Sequence, residues 1–120
     1  MQYLNQIQLI GYVTEPKLID AAHGRMGTFS VITKRYAGKD DAGNSIFAED
    51  WHNCQTFGKA AEDLKIGKGD FVYVSGELRT RKKDDVVYYN VHVEKLNILL
   101  KKSADGDFVT EEDREDSGLP

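Results

Sequence analysis

The chain has 120 residues, of which 40% are hydrophobic and 30% charged, and its formal net charge is −4. This length fits one domain and leaves little room for a second. Cys54 is the only cysteine, which excludes an intramolecular disulfide and a cysteine-rich metal site. The first residues lack a secretory signal pattern, and no apolar run approaches membrane-spanning length, so we expect a soluble cytoplasmic protein.

The charges are distributed unevenly along the chain. Residues 1–102 contain 15 of the 16 lysines and arginines and 13 of the 20 acids, whereas residues 103–120 contain Arg114 against seven acids. The composition therefore predicts a mildly basic domain over residues 1–102 and an acidic, disordered tail over residues 103–120. Two roles remain open for the tail, since it either aids solubility alone or competes with a polyanion for the basic domain.

Hydrophobic periodicity predicts five strands and one short helix. Alternating residues indicate strands over residues 3–13, 28–36, 49–58, 70–79 and 86–99, and helical spacing indicates a helix over residues 59–65. Residues 14–27 are expected to form a turn-rich connection, and residues 37–45 a mobile hairpin loop. A helix between the third and fourth of five strands is the order of the OB-fold, an all-β Greek-key barrel that binds oligonucleotides or oligosaccharides.

The third predicted strand carries an unusual mixture of side chains. Alternation places Trp51, Asn53, Gln55 and Phe57 on one face, so that two rings are interspersed with two amides. A face meant for the core would pair its rings with aliphatic residues. The pattern instead favours a platform on which flat ligands such as nucleic-acid bases stack, and Tyr36 on the second strand extends it.

Four short motifs resemble those of bacterial and phage single-stranded DNA-binding proteins. They are Asn-Gln-Ile-Gln-Leu-Ile-Gly at residues 5–11, Asp-Trp-His and Phe-Gly-Lys at 50–52 and 57–59, Lys-Gly-Asp-Phe-Val-Tyr-Val-Ser-Gly at 68–76, and Leu-Arg-Thr-Arg-Lys at 78–82. The resemblance runs from about residue 5 to residue 102. It implies non-enzymatic, largely sequence-independent binding of single-stranded DNA during replication, recombination or repair. It also implies a homo-oligomer, with a tetramer favoured and a dimer as the alternative.

The resemblance assigns roles to particular residues. It implies that Trp51, Phe57 and an aromatic near Tyr36 stack on bases, and that Lys59 and Lys82 follow the phosphate path. A further stacking tryptophan of the family is replaced here by Lys83, a loss that Tyr88 would offset. The chain also lacks the family's long linker and terminal Phe, so that recruitment of repair and replication proteins by the acidic tip is not implied.

Cations flank the proposed platform, as a groove that follows repelling phosphates requires. The run from Arg79 to Lys83 places four cations within five residues, which concentrates positive potential. The candidates for phosphate contact are Lys34, Arg35, Lys59, Arg79, Arg81, Lys82 and Lys83.

No other residues form a recognisable chemical site. His52 is expected to be a hydrogen-bonding residue and Cys54 a small core residue, and no acid, base and nucleophile set accompanies them. We therefore expect no enzyme activity, cofactor or metal. The main alternative is an OB-fold primosome or replication subunit whose rings form a protein interface. Salt distinguishes the two, because DNA binding weakens steeply as salt rises and an aromatic protein interface does not. An OB-fold enzyme fragment would need a catalytic set that the sequence lacks.

Overall fold

The computed structural model describes residues 1–22, 24–102 and 108–110. Within these ranges the chain forms seven strands and one short helix. They are β1 (Ile7–Val13), β2 (Lys17–Ala21), β3 (Gly24–Lys39), β4 (Ser45–Phe57), α1 (Lys59–Glu62), β5 (Phe71–Lys83), β6 (Val86–Lys102) and β7 (Phe108–Thr110).

Five of these strands close into a barrel. β1 pairs antiparallel with both β3 and β5, β5 pairs antiparallel with β6, and β3 pairs antiparallel with β4. A short parallel pairing of β4 with β6 completes the ring, with Cys54 opposite Val91 and Gln55 opposite His92. Because α1 follows the third barrel strand and precedes the fourth, the predicted five-stranded barrel with its single helix is confirmed.

Several predicted boundaries were wrong. Residues 17–21, expected to be part of a turn-rich connection, form β2 and pair with residues 24–28 of β3. The hairpin of β3 and β4 continues to Lys39 and Ser45, so the predicted loop over residues 37–45 shrinks to residues 40–44. The helix ends at Glu62 rather than at residue 65. Residues 108–110, assigned by composition to the acidic tail, form β7, and the rest of the predicted tail lies outside the described residues.

The core consists of side chains that alternate inward along the barrel strands, together with Ala61 of α1 and Ile66 of the connection that follows. Alternate side chains of the barrel strands are buried, among them Leu9, Phe29 and Val74. Among the residues whose burial the structure describes, the buried apolar set is Leu9, Val13, Phe29, Val31, Cys54, Ala61, Ile66, Val72, Val74 and Val91. Leu78 continues the alternation of Val72, Val74 and Gly76 but is exposed, because β5 and β6 extend past the barrel there as a two-stranded hairpin.

Two glycines allow the barrel strands to approach one another closely. A Cβ atom at Gly11 of β1 would collide with the backbone carbonyl oxygen of Ile32 on β3. One at Gly76 of β5 would collide with the carbonyl oxygen of His92 on β6. Only a residue without a side chain fits at these two crossings, which explains glycine in the middle of otherwise regular strands.

Asp70 fastens the start of β5 to the end of β6. Its buried carboxylate accepts hydrogen bonds from the Gly67 N–H (2.8 Å), the Lys102 N–H (2.9 Å) and the Lys101 Nζ (2.8 Å). Burial by itself raises the pKa of this carboxyl, but the hydrogen bonds and the charge of Lys101 outweigh it and hold the pKa below its ordinary value. The charged form of Asp70 therefore stabilises this end of the barrel.

Candidate nucleic-acid interface

The outward face of β3, β4 and β6 brings the predicted aromatic residues together. Residues directly paired across neighbouring strands share a face. Ile32 pairs with Trp51, and alternation from that pair places Tyr36 and Phe57 on the same side. Gln55 pairs with His92 on β6, and alternation along β6 adds Tyr88. These four predicted stacking residues therefore share one outward face, which we call the aromatic face.

The rings of this face are accessible to solvent. Trp51 is 61% exposed and Phe57 is 43% exposed. The Phe57 ring stacks on the His92 ring, with 4.8 Å between centroids and 21° between planes. The Tyr36 ring meets the Phe47 ring edge to face, with 6.1 Å between centroids. Neighbouring rings thus hold Phe57 and Tyr36 in place while flat surfaces stay open to a ligand.

A groove of ≈ 540 Å³ runs between the Trp51 strand and the β5–β6 hairpin. Its lining includes Trp51 and Tyr88 as rings, Arg81 as a cation, and the amides of Gln55 and Asn90. Within the described part of the chain, the half-buried side chains of Gln55 and Asn90 have no hydrogen-bond partner. The groove therefore offers stacking surfaces, positive charge and amide groups free of protein partners at one place.

Four of the predicted phosphate-contacting residues lie on the aromatic face. Lys34 is two residues from Tyr36 on β3, and alternation along β5 places Arg79, Arg81 and Lys83 on the side of Tyr88. The Arg81 guanidinium carbon lies 5.9 Å from the centroid of the Tyr88 ring. Arg79 also forms an ion pair of 3.0 Å with Glu77.

The other three predicted cations lie elsewhere. Arg35 and Lys82 alternate to the opposite sides of their strands, where Arg35 pairs with Asp50 at 3.0 Å and Lys82 lies 3.9 Å from Asp85. Lys59 is the exposed first residue of α1, two residues past Phe57. It sits at the border of the aromatic face.

Sequence reasoning missed two rings of this face. Phe47 is 60% exposed and pairs with Tyr36, but the predicted strand began only at residue 49. Its spacing of four residues from Trp51 was the available signal, because residues four apart on a strand share a face. His92 gives no signal in the sequence, because its contact with Phe57 depends on the register of β4 with β6.

The remaining candidates have structural surroundings. The Nε2 of His52 lies 2.9 Å from the hydroxyl oxygen of Thr33, on the side opposite Trp51. Burial raises the pKa of the Cys54 thiol to about 12, so it is a neutral core group near pH 7. In the described ranges no three His, Cys, Asp or Glu residues are grouped closely enough to hold a metal ion. No helix in those ranges has the length and apolar character needed to cross a membrane.

Similar proteins of known structure share this barrel. The Plasmodium falciparum SSB, in a complex with ssDNA, superposes with a TM-score of 0.65 at 27% identity, covering 81% of this chain and 94% of that one. The single-stranded DNA-binding protein of Thermus aquaticus, as a deletion mutant, gives 0.63 at 24% identity, covering 88% and 54%. The small single-stranded DNA-binding protein of Streptomyces coelicolor gives 0.58 at 17%, covering 81% and 95%. The last two show the fold alone, and together the three confirm the predicted OB-fold.

Sequence comparison gives the family. Single-stranded DNA-binding protein 1 of Chlorobaculum tepidum is 32% identical over 85 residues, which cover 68% of this chain and 52% of the relative. The chain thus spans about half the length of that curated relative. The model of the single-strand binding protein family matches residues 4–102, which include all five barrel strands. The chain belongs to the single-strand binding protein family.

Proposed function

We propose that this protein binds single-stranded DNA largely without sequence preference, by stacking bases on the rings of its aromatic face. The observation that carries the proposal is the convergence of Trp51, Phe57, Tyr36 and Tyr88 on one outward face beside a groove. Every base has a π-face, so stacking tolerates any sequence. Phe47 extends the surface beyond Tyr36, along the arm that β3 and β4 form outside the barrel.

The phosphates follow the cations that border these rings. Lys34, Arg79, Arg81 and Lys83 make the direct contacts, and Lys59 prolongs the path past Phe57. Arg35 and Lys82 point away from the aromatic face, so they do not contact phosphates directly. They act through the positive potential of the β3–β4 and β5–β6 hairpins that carry them. Each cation that replaces the counterions of a phosphate adds to the salt dependence of binding.

Such binding protects exposed strands during replication, recombination or repair, and it needs no enzyme activity, cofactor or metal. The printed description of the Plasmodium falciparum structure, a complex with ssDNA, supports the ligand class. We also propose that the protein is cytoplasmic, as the sequence predicts.

Several copies of the chain act together in this proposal. The outward side of β1 carries Ile10 and Tyr12, which lie beside Tyr73 and Phe71 of β5, and the Tyr12 and Phe71 rings are 4.9 Å apart between centroids. Ile10 is 52% exposed, so this is an apolar surface with solvent access. A homo-oligomer, as a tetramer or else a dimer, would cover it. Light scattering tests this, since Ile10→Lys should lower the mass of the particle.

Equilibrium binding to a dye-labelled oligothymidine tests the main proposal. Fluorescence anisotropy should show saturable binding that weakens steeply between low and high salt. Unlabelled duplex DNA should displace the labelled oligothymidine only poorly. Binding that ignores salt, or no binding by the folded protein, would favour the alternative in which the rings contact a protein partner.

A further inference from the structure

The middle of the aromatic face is polar. Asn53 and Gln55 separate the two rings of β4, and Asn90 lies on the same face of β6. Two smaller cavities, of ≈ 280 Å³ and ≈ 180 Å³, share lining residues with the groove of ≈ 540 Å³. Gln55 and Asn90 line all three. A ligand that lies along the rings therefore passes over these amides.

Asn53 is held in place by a short series of hydrogen bonds. The Thr14 Oγ1 accepts a hydrogen bond from the Ser30 N–H (2.9 Å), and the Thr14 N–H donates one to the Ser30 carbonyl oxygen (3.0 Å). The Ser30 hydroxyl in turn donates to the Asn53 Oδ1 (3.1 Å). These contacts restrain the amide group of Asn53, which carries two N–H donors.

Gln55 and Asn90 carry amides that bond to no other protein group described by the structure. Both side chains are half-buried, and within the described part of the chain neither has a hydrogen-bond partner. An amide side chain offers an acceptor oxygen and two N–H donors, and partly buried polar groups normally bond to protein, water or ligand. These two amides are therefore available to a ligand that enters the groove.

The bases of a single strand have the complementary chemistry. The Watson–Crick edge of every natural base carries a donor beside an acceptor, and this edge is free in an unpaired strand. Side chains two residues apart on a strand are about 7 Å apart, which is the spacing from Trp51 to Asn53 and from Gln55 to Phe57. A base stacked on either ring therefore has an amide beside its edge.

We propose that Asn53, Gln55 and Asn90 hydrogen-bond to the Watson–Crick edges of bases stacked on the neighbouring rings. This inference rests on the proposed DNA binding and adds a requirement that stacking alone does not impose. The amides of Gln55 and Asn90 can turn over to present donor and acceptor in either order, so the contact tolerates any natural base. It selects against a base whose edge lacks hydrogen-bonding groups, and against a duplex, whose edges are already paired.

A base analogue tests the proposal on the wild-type protein. Difluorotoluene has the shape and the stacking surface of thymine but forms almost no hydrogen bonds. In anisotropy competition, an oligomer of difluorotoluene deoxynucleotides should bind roughly tenfold more weakly than oligothymidine of the same length. Stacking alone predicts equal or tighter binding of the analogue, because its less polar base loses less hydration on binding.

Variants of the amides locate the effect. Gln55→Leu and Asn90→Leu should each reduce the preference for oligothymidine over the analogue, and the double variant should lower it to about threefold or less. The matched control is Asn97→Leu, which removes an exposed amide of β6 that lines a cavity beside Ala60 of α1 rather than the groove. This control should keep the full preference.

Two results would overturn the proposal. Equal binding of both oligomers by the wild type would mean that stacking and charge account for DNA binding without the amides, and this measurement needs no variant to fold. A preference that persists in full in the double variant would mean that other groups contact the base edges. In both cases oligothymidine would still bind, whereas no binding of oligothymidine by the folded protein would refute the proposed function itself.

Discussion

At the scale of single residues, the account rests on rings that the barrel holds outward. Trp51→Ala and Phe47→Ala should each weaken oligothymidine binding by roughly 1 to 3 kcal/mol, because each removes a stacking surface for one base. Tyr3→Ala is the control, since Tyr3 is an exposed ring that precedes β1. Anisotropy titrations at one salt concentration measure all three. If Tyr3→Ala lost as much affinity for oligothymidine as the other two variants, this would argue against a defined stacking surface.

Asp70→Asn should destabilise the fold by about 2 to 4 kcal/mol at pH 7, because Lys101 and a backbone N–H lose their charged acceptor. The folded pKa of Asp70 is lowered, so its contribution is present above the unfolded value near 4 and disappears as pH falls through the folded value. Urea unfolding of the two proteins should therefore differ at neutral pH and converge in acid.

Asp20→Asn is the matched control for that variant. Asp20 pairs with Arg25 at 3.2 Å on the exposed hairpin of β2 and β3, where solvent screens the charges. This variant should unfold like the wild type at every pH. A gap between wild type and Asp70→Asn that persists unchanged in acid would contradict the role given to the charged carboxylate.

The sequence pattern predicted part of the candidate site but not all of it. Trp51 and Phe57 were found because they lie on one strand, where alternation alone determines the shared face. The stack of Phe57 on His92 joins residues 35 positions apart, and nothing in the sequence fixes the pairing of β4 with β6. Alternation along one strand already places Arg35 opposite Tyr36, whereas the side on which Lys82 lies depends on the pairing of β5 with β6.

At the scale of the elements, the barrel depends on two close strand crossings. Gly76→Ala should lower the free energy of unfolding by about 1 to 3 kcal/mol, since the added methyl group meets a backbone carbonyl that cannot move without opening β5 from β6. Ser75→Ala, one residue earlier on β5, is the control and should be nearly neutral. Chemical denaturation measures both. Equal stability of Gly76→Ala and wild type would show that the strands have room to separate.

The barrel strands were predictable because one side of each is buried. Leu9 and Val13, or Val72 and Val74, give the two-residue period that burial imposes. β2 has no such period, since its adjacent residues Leu18 and Ile19 are both exposed. Among the described strands, β2 pairs with β3 alone. β7 was hidden by the acidic composition around it. Strands that extend outside the core leave little signal in a single sequence.

At the scale of the whole molecule, the account predicts an uneven contribution of cations to DNA binding. Arg81→Ala and Lys83→Ala should each reduce the slope of log K against log salt by about 0.7, the value for one phosphate contact on a single strand. Arg35→Ala and Lys82→Ala remove the same charge from the opposite sides of their strands. They should reduce the slope of log K against log salt by less. Equal reductions in all four variants would indicate a diffuse field instead of a defined path.

The strand order was enough to predict the fold, and the resemblance of four short motifs indicated the family. The groove between the Trp51 strand and the β5–β6 hairpin was not predictable, because it arises where distant segments meet around the closed barrel.

The fluorescence of Trp51, the only tryptophan, tests the central claim most directly, because its ring is itself part of the proposed stacking surface. Titration with an oligothymidine at low salt should quench it strongly, high salt should reverse the quenching, and duplex DNA should not reproduce it. Unchanged fluorescence at low salt, with the protein shown to be folded, would contradict base stacking on this face.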